Sequence, residues 1–215
     1  MADNTGIRLL GFKGFKASER FLCALEDEIW VARYDPETEQ TDIPVHRPEK
    51  ILSGATMLAE LAQPSRVTVV SAHAGYLFNG RRLGFSGDGD QAPVLTVDNL
   101  GSFTLGATSM LLIDACCSPA LAAALAPHAR HGSLIVSLAH EPDEDPFTYG
   151  KDSITAIGSV IRELCHAATP DLSPEAAARA VRLTNIQICA RNDAERKRGV
   201  GNKKAMRPRL HMREC

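Results

Sequence analysis

The chain is poor in aromatic residues: one Trp, three Tyr and seven Phe among 215 residues, 5% in all. None of these rings falls among the cations of Arg191–Cys215, where a surface that stacks single-stranded bases would interleave them. Long apolar runs are missing too. No stretch approaches the roughly 18 apolar residues that span a bilayer, and the N-terminal Met1-Ala2-Asp3-Asn4 carries an acid where a signal peptide carries cations, with no apolar segment behind it. A cytoplasmic protein without membrane contact is expected. Cys-x-x-Cys is absent, and Cys23, Cys165, Cys189 and Cys215 are scattered without zinc-ligand spacing. No metal and no cofactor is therefore expected. Six cysteines in a chain of this length without an export signal read as thiols rather than a disulfide framework, most of those four being small buried hydrophobes. Internal repeats, low-complexity runs and Gly/Ser linkers are also lacking, which leaves one compact domain as the expectation.

What is present begins with an uneven charge. The formal net charge is −2, yet Arg191–Cys215 holds nine Lys/Arg against three Asp/Glu, so the rest of the chain is acidic. Residues 1–190 read as a single domain, with 1–50 either an N-terminal extension or a first βα unit, and residues 191–215 as a basic C-terminal tail. Nine cations suffice to displace counterions from phosphates, but without a recognition motif the tail reads as solvated or docked on the body.

Apolar runs at Val67–Val70, Met110–Ile113 and Leu134–Val136 are short, nearly continuous and rich in β-branched residues, the pattern of strands buried on both faces of a parallel sheet. A further strand is expected at Ile7–Leu10. Helices are expected where apolar residues recur at three- and four-residue steps: Leu22, Leu25 and Ile29 behind an N-cap at Ser18; Leu52, Ala55, Leu58 and Ala62; and Ile154, Ile157, Ile161 and Leu164. Ser118-Pro119 and Ser173-Pro174 start two more, a hydroxyl cap followed by proline at the first helical position. Strands alternating with helices predict an α/β three-layer sandwich with a mostly parallel central sheet, whose ligands gather at the carboxyl ends of the strands.

Two of those ends carry reactive side chains: Ala72-His73-Ala74-Gly75 follows one strand, and Ala115-Cys116-Cys117-Ser118 follows another and leads into a helix. A thiol nucleophile needs an imidazole to take its proton and later to protonate the leaving amine. A helix N-terminus after Cys116 favours the thiolate. The Cys116 N–H, with that of Ala74 or Gly75, is a candidate oxyanion hole.

The strand ending in His-x-Gly and the later strand ending in Asp114-Ala115-Cys116-x-Ser118 resemble the caspase-like clan of cysteine proteases, most closely prokaryotic CHAT-type domains. The likeness covers about residues 50–190, and His73 precedes Cys116 by 43 residues, against roughly 50 in caspases. The resemblance implies a cysteine endopeptidase with Cys116 and His73 as its dyad, a protein or peptide substrate and an activating sensor or regulatory protein. Metacaspase-like members carry an Asp two residues before the nucleophile, where it receives Arg or Lys; the matching residue is Asp114, whose alternative role is to cap the next helix or orient its loop. The sequence departs from the family at Ala74, where glycine commonly follows the histidine, and at the doubled cysteine, of which Cys116 occupies the nucleophile's position. A catalytically silent caspase-like binding module and nucleic-acid binding through the basic tail are the alternatives.

Other motifs fail on spacing. Gly87-Asp88-Gly89-Asp90 lacks the twelfth-position Glu of a calcium loop, and Gly150-Lys151-Asp152-Ser153 lacks the upstream glycine of a phosphate loop. His128-Ala129-Arg130-His131 reads as helix-end cations, and Glu141–Asp145 as a solvated acidic loop or, as the caspase-like resemblance implies, a part of the substrate groove's surroundings that attracts a basic peptide.

Overall fold

Runs that are apolar at every position, rather than at every second one, become strands with a core on each face. Ile7, Leu9, Val67, Val69, Met110, Leu112 and Val136 project into one core, whereas Leu10, Val70, Leu111, Ile113 and Ile135 project into the other. Successive side chains of a strand point to opposite faces, so only a continuous run fills both. The structure, a computed structural model, describes residues 6–48, 51–76, 82–87, 94–106, 109–115, 118–139, 149–166, 171–198 and 209–215.

In chain order the elements are β1 (Ile7–Gly11), α1 (Lys16–Arg33), β2 (Tyr34–Asp35), β3 (Gln40–Thr41), β4 (Val45–His46), α2 (Gly54–Leu61), β5 (Val67–Ser71), β6 (His73–Tyr76), β7 (Arg82–Ser86), β8 (Val94–Thr96), β9 (Met110–Asp114), α3 (Ser118–Leu125), β10 (Leu134–Ala139), α4 (Tyr149–Cys165), α5 (Pro174–Lys197) and β11 (Arg209–Glu214). The main sheet has the order β11-β10-β9-β5-β1-β4, with β11 antiparallel at its edge and the other neighbours parallel. Helices α1, α4 and α5 cover one face, while α2, α3 and the small antiparallel sheet β6-β7-β8 cover the other. This is the α/β three-layer sandwich expected from the strand and helix order.

The helix starts differ in how well they obey local rules. Ser173 caps α5 as expected, its Oγ accepting the Ala176 N–H at 3.1 Å, and Ala177, Val181, Thr184 and Ile188 form the buried stripe. In α4, Ile157, Ile161 and Leu164 are buried; the Ile154 side chain lies outside those described. The stripe expected for α2 is wrong by one position. Leu52 lies ahead of the helix and is 60% exposed, and Gly54, Met57 and Leu61 face the core instead. Ser53 caps that helix through the Thr56 N–H, and starting it there rotates the buried face. Ser18 does not cap α1: the helix begins at Lys16 with Phe15 at the N-cap, and Ser18 is buried in its first turn. Of the four scattered cysteines only Cys165 is buried, because Cys23 lies on the polar face of α1 and Cys189 and Cys215 are partly open.

The first 48 residues supply the strand β1, which lies between β5 and β4, and the helix α1. Residues set apart by charge as a basic tail are divided between elements: Arg191–Lys197 finishes α5, and Arg209–Glu214 is β11, paired along its length with β10. Asn185 of α5 ties this edge strand down, its Nδ2 donating to Leu210 O at 2.9 Å and its Oδ1 accepting the Leu210 N–H at 2.8 Å. Among the described residues no helix is long and apolar enough to cross a membrane.

Candidate active site

The two strands that lead to the reactive residues are direct neighbours. β5 pairs with β9 in parallel from Val67 opposite Met110 to Ser71 opposite Asp114, and the Ala72 N–H carries the ladder one step further to Asp114 O at 3.3 Å. His73 follows at once as the first residue of β6, and its imidazole is exposed. On the other strand Ala115 is described and buried, and α3 begins at Ser118. Cys116 and Cys117 lie outside the described residues, as do Asp88–Asp90 and the acidic loop Glu141–Asp145.

Beneath this edge runs a chain of buried polar contacts. Ser18 Oγ donates to Ser71 O at 2.6 Å, and Ser71 Oγ donates to Asp114 Oδ2 at 2.9 Å. Asp114 is only 8% exposed. A buried carboxylate is tolerable only when its oxygens are hydrogen-bonded, and Ser71 supplies one such bond. The approach of α1 that brings Ser18 so near depends on Gly11, since a Cβ there would stand 2.5 Å from Ser18 Oγ and 2.8 Å from Leu22 Cδ1.

The segment after β1 completes the edge. Helix α1 leaves β1 toward one face of the sheet, whereas β6–β8 leave β5 toward the other. The adjacent strands β1 and β5 therefore flank a topological switch point, where crevices open at the carboxyl edge of doubly wound sheets. Across it the Phe15 ring stacks on the His73 imidazole, centroids 4.0 Å apart and planes 28° apart. Phe15 had no signature in the sequence. Its contact with His73 joins segments distant along the chain, and an aromatic residue at an N-cap satisfies no local rule.

Ala74 fits its position. Among the described non-glycine residues only Glu39 has a positive φ, so a Cβ at position 74 meets no left-handed strain. β6 is an edge strand bonded to β7, with Ala74 opposite Phe85 and Gly75 opposite Gly84. An antiparallel ladder uses the N–H of every second residue. Of the Ala74 and Gly75 amides, one therefore points to β7 and the other away from it.

Elsewhere the chemistry is quieter. Burial pushes the Cys165 thiol up to about 11, so it stays protonated and inert at neutral pH. His128 follows α3 in a 3-10 turn, and its Nδ1 lies 2.7 Å from Phe103 O, pinning the preceding loop. Among the described residues no three His, Cys, Asp or Glu form a metal-binding group. A cavity of about 640 Å³, lined by His131, Ser133, Glu175, Arg179, Arg182 and Cys215 among others, includes Leu134 at the start of β10. It opens at the amino end of the parallel strands, away from His73.

No family model matches this chain, and no curated protein matches it. Among solved structures it is similar to the crystal structure of the Drosophila initiator caspase Dronc at 12% sequence identity and a TM-score of 0.47, with 98% of this chain and 80% of that one covered.

Proposed function

We propose that the chain is a caspase-like cysteine endopeptidase in which Cys116 is the nucleophile and His73 the general acid and base. The observation that carries this reading is the β5–β9 register. Ser71 and Asp114 sit opposite one another, and in the sequence His73 and Cys116 each follow two residues later. Two parallel neighbours in register deliver their next residues side by side, as a proton-transferring pair requires.

In the proposed reaction His73 takes the Cys116 thiol proton, and the thiolate attacks the scissile carbonyl carbon as the carbonyl π electrons move onto oxygen. The Cys116 N–H and the outward-facing amide of Ala74 or Gly75 hold that oxyanion. Collapse of the tetrahedral intermediate breaks the C–N bond, the amine leaves with the proton held by His73, and a thioester remains. Water then attacks the thioester, yields its proton to His73 and releases the acid, and the thiolate is regenerated. The N-terminus of α3, which begins at Ser118, favours the negative sulfur. Asp114, in this reading, presents its carboxylate to an Arg or Lys side chain of the substrate, and a sensor or regulatory protein controls access.

The test is covalent labelling with a peptidyl-arginine chloromethyl ketone, followed by peptide mapping. One equivalent on Cys116, unaffected by Cys117→Ala and abolished by His73→Ala, is the expected result. Labelling that ignores His73, or that falls on Cys117, removes the proposed dyad.

A further inference from the structure

Phe15 breaks a local rule. N-cap positions favour Ser, Thr, Asp or Asn, whose side-chain oxygen accepts a free N–H of the first turn, and replacing such a residue by an apolar one costs about 1 kcal/mol. Phe15 makes no such bond, and the Ser, Asp or Asn expected there is absent.

The backbone around it is nonetheless held closely. Lys13 N–H donates to Ile51 O at 3.0 Å, Phe15 N–H to Phe12 O at 3.4 Å, and Glu19 N–H to Phe15 O at 3.0 Å. Gly14 turns the chain at φ +89°, and its N–H donates to Glu19 Oε1 at 2.8 Å. Phe12 is fully buried beneath the turn. A segment anchored this well, yet carrying an aromatic ring at a position that favours a small polar side chain, points to a contact outside the helix. That contact is the His73 ring, 4.0 Å away and nearly parallel.

We infer that Phe15 is a positioning residue for His73: its ring face fixes the plane of the imidazole in the orientation that the proposed proton transfer with Cys116 needs. This rests on His73 being the acid–base residue proposed above. A ring packed on one face has fewer rotamers open to it, and a reacting group misplaced by about 1 Å loses on the order of 100-fold in rate. The stack confines the ring from one side without using either nitrogen. In the imidazolium formed after proton transfer, the positive charge also lies within the roughly 6 Å over which an aromatic face attracts a cation.

The variants Phe15→Ser, Phe15→Leu and Phe15→Tyr separate positioning from stability. Phe15→Ser provides the missing cap and Phe15→Leu keeps apolar bulk, while Phe15→Tyr keeps the ring. Phe15→Ser and Phe15→Leu should lower the rate of Cys116 alkylation by the chloromethyl ketone about 10- to 100-fold, with little change in the concentration giving half the maximal rate. Phe15→Tyr should restore most of it, and circular dichroism melts should show all three folded. In NMR spectra the His73 ring protons, shielded by the stacked Phe15 face, should move downfield in Phe15→Ser and Phe15→Leu but not in Phe15→Tyr. Wild-type labelling on Cys116 with Phe15→Leu labelled equally fast, or His73 ring signals that do not move, overturns the positioning role and leaves the dyad standing. Absence of Cys116 labelling in the wild type overturns both.

Discussion

Asp114 and His73 leave neighbouring strands at the same edge, yet their surroundings are opposed. The imidazole is exposed against a Phe15 ring, whereas the carboxylate is sunk at the end of β9 beneath the Ser71 hydroxyl. If Asp114 receives a basic substrate side chain, Asp114→Ala removes a charge-assisted pairing. Arg and Lys cleavage should then fall by about 10- to 100-fold relative to neutral residues, with a positional peptide library as the measurement. Unchanged selectivity together with a lower melting temperature would assign Asp114 to holding the β5–β9 edge alone. Both strand-end residues were legible in the sequence, because each follows an apolar run. Ser71 and Phe15 were not, because their partners are distant along the chain and neither has a local signature.

At the level of the element, β11 shows how a helix secures a sheet edge. Leu210 is buried, and the Asn185 side chain bonds both its N–H and its C=O as another strand would. Unpaired edge groups invite other chains, and buried ones cost about 1–3 kcal/mol each when left without partners. Asn185→Ala is therefore expected to destabilise the protein by about 2–3 kcal/mol, and to speed hydrogen exchange at the Leu210 amide while amides in β1, β5 and β9 hold. Equal acceleration in all strands would show that β11 and the central sheet open as one unit. The same scale explains the misread helix. In α2 both candidate stripes have helical spacing, and only the docking of the segment decided that Met57 and Leu61 face the core while Leu52 faces solvent.

For the molecule as a whole, the core under α1, α4 and α5 holds a titratable thiol. Cys165 is buried at the end of α4, and its thiol titrates at about 11 in the folded state. In the unfolded chain it ionises nearer the ordinary thiol value of 9.0. A folded value raised above the unfolded one contributes stability that is complete below the unfolded value and is lost as pH rises through the folded one. Chemical denaturation should therefore show wild-type stability falling by about 2–3 kcal/mol more than that of Cys165→Ala between about pH 8 and pH 12. Parallel curves for the two proteins would mean that the thiol is solvated in the folded state.

The interior strands β1, β5, β9 and β10, the helices α1, α3, α4 and α5, and the strand end that leads into His73 were written in the sequence. Continuous apolar runs, hydroxyl-proline caps and helical spacing are local properties, and each is set by residues within a few positions of one another. Only the tertiary structure decided that β1 lies beside β5, that the edge strand comes from the basic C-terminal segment, and that Phe15 rests on His73. These depend on which surfaces bury one another after long stretches of chain have closed into loops, and no short window of sequence records that choice.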